Sequence, residues 1–291
     1  MASNVFISGV SSGFGRLSAL ALARRGHRVF GTMRDLHGSN RAVSTELVTA
    51  AQQLPGSIVA YDMELEFERS VKGAVGQVLS DAGHLDVVVN NAGTTTMGLA
   101  ETMTDQQMLH AMDVNVIGHH RVMRAVLPSM RARKSGLLIH ISDTLGRVAV
   151  PLMGIHCASK AAIEALADAY RYELAPLGIE STVVQPGFFP TGFVDRLEVG
   201  DDHQRADGYG PMADKLDALG DAVREVIMGK DPPDPQMVAD TIVTLVELDP
   251  GSRPDRFVVD GRDGSDLLRV NDAHRRAQSE MMVKLGLDDG E

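Results

Sequence analysis

The 291-residue chain has one cysteine, Cys157, so an intrachain disulfide is excluded and a reducing compartment is expected. It has no stretch near the roughly 20 apolar residues that a membrane-spanning helix needs. Residues 1–10 carry no basic region ahead of their apolar run and do not read as a signal peptide. The expectation is a soluble, cytoplasmic protein with no membrane partner. Positive charge is also scarce: 28 Lys+Arg stand against 39 Asp+Glu, a formal net charge of −11. That sign argues against nucleic acid or an anionic membrane as the main partner. The excess is uneven: residues 1–191 hold 16 acidic and 16 basic residues, so the whole −11 lies in residues 192–291. There is no internal repeat, and 44% hydrophobic with 23% charged residues excludes a disordered or low-complexity chain.

What the chain does have is a regular alternation of short apolar runs and longer amphipathic stretches. Strands are predicted over 5–8, 27–32, 57–61, 87–90, 137–141 and 180–185, with a last apolar run at 256–259. Helices are predicted over 16–25, 41–53, 67–82, 104–112, 116–134, 157–175 and 237–247. Such alternation implies an α/β fold, a parallel sheet with helices on both faces. Burial on both faces accounts for unbroken apolar runs such as Val87-Val88-Val89 and Leu137-Leu138-Ile139. One domain over 1–291 is expected. Residues 192–234, rich in Gly, Asp and Pro, fit the pattern poorly and read as a substrate-binding or lid insertion with one or two helices within 212–229. Residues 263–291 read as a C-terminal helical extension.

The first strand runs into Ser8-Gly9-Val10-Ser11-Ser12-Gly13-Phe14-Gly15 and then a helix. Glycines 9, 13 and 15 allow a tight turn and close approach to a pyrophosphate, and the helix start offers free N–H groups and a positive dipole end. Ser11, Ser12 and Phe14 are expected beside that phosphate. At the end of the second strand an acid would accept hydrogen bonds from an adenosine ribose and repel a 2′-phosphate. Here Met33 stands there and Arg34 follows, which favours NADP(H) over NAD(H). A one-residue shift would place Asp35 in the site and reverse the preference.

Four further segments extend the pattern: Asn90-Asn91-Ala92-Gly93, Asp113-Val114-Asn115-Val116-Ile117-Gly118, His156-Cys157-Ala158-Ser159-Lys160 and Pro186-Gly187-Phe188-Phe189-Pro190-Thr191. With the glycine turn, this set resembles the short-chain dehydrogenase/reductase family, densely over residues 3–192 and more weakly to about 262. The resemblance implies a single Rossmann-type, doubly wound sheet and a nicotinamide cofactor. It implies that Gly9, Gly13 and Gly15 hold the pyrophosphate. Asp62, followed by Met63, would meet the adenine, and Asn90, Ala92 and Gly93 would line the adenosine side. Pro186, Gly187, Phe189 and Thr191 would meet the nicotinamide. Lys160 would bond the nicotinamide ribose, and Asn115 would order a water in a proton relay.

The sequence departs from that family at its centre. The usual catalytic group is Ser, Tyr and Lys, with Tyr four residues before Lys on one helical face. Four residues before Lys160 stands His156, and the Ser position, thirteen earlier, is Asp143. Ser142 is adjacent, so a one-residue slip would restore a serine. None of the four tyrosines, Tyr61, Tyr170, Tyr172 and Tyr209, stands four before a lysine. An imidazolium, with a reference pKa of about 6.5, is a good acid, and a neutral imidazole is a very poor one. Lys160 would oppose the imidazolium by repulsion, and a neighbouring carboxylate would restore it. The two changes therefore make chemical sense together. An Asp143–His156–Lys160 site can serve ketone reduction and alcohol oxidation. Alternatively His156 is a base for isomerase or lyase chemistry, or the chain binds a cofactor without turnover.

The segment between Asp143 and His156 is apolar and includes Val150 and Met153, and Phe188 and Phe193 flank the opposite side. The expected substrate is a small to medium apolar carbonyl or alcohol. His203 and Tyr209, in the insertion, are candidate acids on a closing lid, and Tyr209 is expected in the substrate pocket. His140 reads as a strand-end residue bonded to backbone or as a partner behind Asp143, and His119 and His120 as packing or surface residues. His140, Asp143 and His156 have no recognised metal-ligand spacing, so no metal is expected. By family analogy, helices 116–134 and 157–175 would pair in a homodimer or homotetramer.

Overall fold

The computed structural model describes residues 2–192, 197–212, 215, 218, 220–222, 225, 229–261 and 263–287. Its strands are β1 (Asn4–Ser8), β2 (Arg28–Met33), β3 (Ser57–Asp62), β4 (Val87–Asn90), β5 (Thr96–Met97), β6 (Gly136–Ile141), β7 (Ile179–Pro186), β8 (Glu198–Val199) and β9 (Arg256–Val259). The longer helices are α1 (Gly13–Arg24), α2 (Arg41–Ala51), α3 (Glu68–Ala82), α4 (Asp105–Met112), α5 (His119–Arg133), α6 (Gly154–Leu174), α7 (Gln236–Glu247) and α8 (Ser265–Leu285). Seven strands form one sheet in the order β3-β2-β1-β4-β6-β7-β9, and every pairing is parallel.

The unbroken apolar runs divide by parity, since successive strand side chains point to opposite faces. Val5, Ile7, Val87, Val89, Leu137 and Ile139 enter one core, shared with Leu22 of α1 and Ile242 of α7. Phe6, Val88 and Leu138 enter the other, shared with Val75 of α3 and Val126 of α5. The sheet is therefore buried on both sides in the Rossmann manner.

Three local features differ from the sequence reading. Helix α1 starts at Gly13 rather than at 16, so the glycine turn itself opens the helix. Helix α6 starts at Gly154, which puts His156 inside its first turn. The helix expected from residue 116 is instead a wide π-helical turn over Asp113–Gly118 that runs into α5. Such one-residue widenings often occur at functional sites, and this one carries Asn115. In the insertion, a one-turn helix at His203–Ala206 and a 3-10 segment at Asp207–Met212 precede residues only partly described. Among the described residues no helix is long and apolar enough to cross a membrane.

Candidate active site

Strand order runs outward in opposite directions from β1 and β4, so the turns after them part and leave a crevice. A cleft of ≈ 750 Å³ opens there. Gly9 (φ +75°) and Gly13 (φ +55°) shape the first turn in a conformation that side chains disfavour. A Cβ on Gly15 would lie 2.1 Å from the Gly9 carbonyl oxygen, so only glycine lets the helix seat on the turn. Ser11, Ser12, Gly13 and Phe14 line the cleft, and the first turn of α1 carries no acid to oppose an anion.

The second turn locks onto the first. Asn91, which the sequence reading passed over, donates from Nδ2 to the carbonyls of Ser8 (2.9 Å) and Gly9 (3.0 Å). The Ser8 hydroxyl accepts from the amides of Asn91 and Ala92, each at 3.0 Å. Ala92 and Gly93 line the cleft beside them. Asn90 does not line it. It is fully buried, its Nδ2 3.5 Å from His140 Nδ1.

Toward the adenosine side, Thr32, Met33, Arg34, Asn40 and Met63 line the cleft. Asp62, expected at the adenine, lies outside this lining. Its carboxylate accepts from the Leu36 amide at 3.1 Å and faces a neighbouring groove. Asp35 is turned back as well: at φ +46° its carboxylate accepts from the Ser39 amide at 2.7 Å. That bond holds its pKa below the ordinary carboxylate value.

His156, Lys160 and Asp143 meet at the inner end of the cleft. His156 Nε2 is 3.4 Å from Asp143 Oδ2. The other carboxylate oxygen accepts from the Leu145 amide at 2.8 Å, which caps the 3-10 turn Thr144–Gly146. Ser142 does not substitute for Asp143: its hydroxyl donates to buried Glu164 at 2.7 Å. Lys160 donates to the Ile141 carbonyl at 3.2 Å. Burial pushes its pKa below the ordinary lysine value, and the carboxylates of Asp143 and Glu164 oppose that shift. The Asn115 amide donates to the Thr94 carbonyl (2.9 Å) and to the Ser159 hydroxyl (3.0 Å), and its oxygen accepts from the Thr94 amide (2.8 Å). Its side chain thus ties the β4 loop to α6.

Pro186, Gly187, Phe188, Phe189 and Thr191 form the wall beyond β7, and Phe189 meets Phe14 edge to face at 5.6 Å. Leu145, Met153 and Phe188 make an apolar lining, backed by Cys157, Val150 and Met97. Leu197 and Glu198, at the start of the insertion, complete the rim, where β8 pairs with β5. Tyr209, expected in the pocket, is elsewhere: its hydroxyl donates to Glu101 on the outer surface at 2.8 Å. Phe193 lies outside the described residues.

Of the other histidines, His110 also lines the cleft, its Nδ1 3.2 Å from Glu198 Oε2 at the rim. His119 is buried, its Nε2 2.7 Å from the Ala92 carbonyl oxygen, and His140 stacks on Tyr170 at 6.3 Å. His120 Nδ1 faces the Tyr170 hydroxyl at 2.8 Å. Among the described residues no group of three His, Cys, Asp or Glu side chains is arranged to hold a metal.

Comparison with known proteins agrees with this architecture. The short chain dehydrogenase family matches residues 3–201. A 3-ketodihydrosphingosine reductase from Bacteroides thetaiotaomicron is 30% identical over 87% of this chain and 94% of its own. The human 17-beta-hydroxysteroid dehydrogenase type 1 is 32% identical over 66% of this chain and 58% of its own. The crystal structure of a short-chain dehydrogenase from Streptomyces avermitilis superposes with a TM-score of 0.78 at 28% identity, covering 98% of each chain. With that match over most of its length and a fold built to the same plan, this chain belongs to the short-chain dehydrogenase/reductase family of oxidoreductases.

Proposed function

We propose that this chain is an NADP(H)-dependent oxidoreductase that interconverts a ketone and a secondary alcohol on an apolar, medium-sized substrate. In this reading Asp143 and His156 replace the usual serine and tyrosine beside the usual lysine, Lys160. The observation that carries it is the 3.4 Å approach of His156 Nε2 to Asp143 Oδ2 at the inner end of the cleft, with Lys160 one helical turn further along α6.

The cleft fits a dinucleotide. The glycine turn brings backbone to its wall, a Cβ on Gly9 would lie 2.8 Å from that of Ala92, and the positive end of α1 faces the expected pyrophosphate. Arg34 supports a 2′-phosphate, because it lines the cleft while Asp35 is engaged with Ser39. A nicotinamide dinucleotide bound there would supply or accept the hydride.

The chain's own part is to move one proton. In reduction the protonated His156 ring gives a ring proton to the oxygen that becomes the alcohol, and in oxidation the neutral ring takes one back. Asp143, 3.4 Å from Nε2, lends its negative charge to the imidazolium that this step needs. Lys160 holds a positive charge at the base of the cleft, where it favours negative charge developing on the substrate oxygen. Leu145, Met153 and Phe188 exclude water and favour an apolar substrate. The names of the reductase and hydroxysteroid dehydrogenase relatives support the ketone–alcohol pair.

The test is to incubate purified protein with NADPH and a panel of apolar ketones, following loss of the reduced-nicotinamide absorbance and formation of alcohol. Turnover is expected with NADPH. Arg34→Ala should lower the preference for NADPH over NADH about tenfold, the equivalent of ~1.4 kcal/mol for a guanidinium–phosphate contact. Cofactor binding without turnover across the panel, or substrate conversion without NADPH consumption, would overturn the reading.

A further inference from the structure

Resting on that reading, we propose that Glu164 is a positioning residue that clamps the segment carrying Asp143 and so sets the carboxylate against His156. Glu164 is 1% exposed and lies on the stripe of α6 that also carries His156 and Lys160, at four-residue spacing. One oxygen of its carboxylate accepts from the Ser142 hydroxyl at 2.7 Å, immediately before Asp143. The other pairs with the guanidinium of Arg147 at 2.7 Å, immediately after the turn that Asp143 caps. The residue between is fitted to the same group: a Cβ on Gly146 would lie 2.7 Å from Glu164 Oε1 and 2.9 Å from the Ser142 hydroxyl. The loop is thus held at both flanks and cannot slide.

The clamp itself is fixed from behind. Gln185 of β7 donates to both Glu164 oxygens, at 2.9 and 3.0 Å, and Arg256 of β9 donates to one at 3.3 Å. Proton donor and loop anchor therefore belong to one rigid helix. The distance between His156 and Asp143 depends on how tightly residues 142–147 are pinned to α6. Reacting groups are sensitive to displacements of this kind, with a 1 Å error costing up to about 100-fold in rate.

Removing Glu164 itself would leave two buried guanidinium groups short of a partner and could unfold the protein. Ser142→Ala is the cleaner probe, since Glu164 keeps Gln185, Arg147 and Arg256. Gly146→Ala pushes on the clamp from the middle. Both variants should lower kcat about tenfold or more, while KM for NADPH and the melting temperature stay within about twofold and a few degrees of the parent. Parental kcat in Ser142→Ala, or a kcat loss matched by equal losses in NADPH affinity and melting temperature, would refute the clamp. His156→Phe, measured alongside, separates the two ideas. If it is inactive while Ser142→Ala behaves as the parent, the clamp alone is wrong. If it remains active, the assignment of the proton to His156 is wrong, whatever Ser142 does.

Discussion

Replacing His156 with Phe should lower reductive turnover about 10²- to 10⁴-fold, the range that positioned acid–base groups contribute. Cofactor affinity should change by less than about threefold, because no charge contact to the phosphates is lost. His156 is 3% exposed and sits in the first turn of α6, so an apolar ring of similar size fits without exposing the core. Single-turnover measurements with NADPH and the best ketone of the panel would read the chemical step directly. A variant within about threefold of the parent would remove His156 as the proton carrier. Asp143 makes a second arm. Asn in its place keeps a cap for the Leu145 amide but removes the charge beside Nε2. Its loss should fall on kcat, and less steeply than that of His156, because it supports the acid without being the acid.

The sheet was legible because its strands are buried on both faces, so that Val87–Val89 and Leu137–Ile139 stand out as unbroken apolar runs. The glycine turn was legible because steric need restricts residue type at Gly9, Gly13 and Gly15. His156 and Lys160 were legible because four-residue spacing on a helix places two side chains on one face. Ser142 shows where spacing alone stops. Neighbouring residues at a strand end point in different directions, so Ser142 turns to Glu164 while Asp143 turns to His156. The clamp was invisible, since Ser142, Arg147, Glu164, Gln185 and Arg256 come from separate elements and share no periodicity. The β5–β8 ladder, two residues on each side, is too short to leave a pattern. Tyr209 and Asp62 have partners that position in the chain does not reveal, Glu101 for one and the Leu36 amide for the other.

Stability should fall steeply in mild acid, and the cause lies behind the cleft. His119 and His140 are both buried, and burial pushes their pKa values down to about 4 and about 3. Lys160 adds repulsion at His119, and His119 adds it at His140, while the Ala92 carbonyl at His119 works the other way. In the unfolded chain both rings titrate near 6.5. Above that value neither form binds the protons, and the contribution to stability is complete. Between 6.5 and about 4 the unfolded chain binds two protons that the folded chain refuses. Stability should therefore drop by roughly 2 to 3 kcal/mol per pH unit over that window. His27 and His274, also lowered by burial, act in the same direction. Denaturant melts between pH 7.5 and 5 would give the slope, and His140→Asn should reduce it by about one proton by removing one of the two main titrations. A slope below one proton in the parent, or an unchanged slope in the variant, would show that these rings take up protons without unfolding.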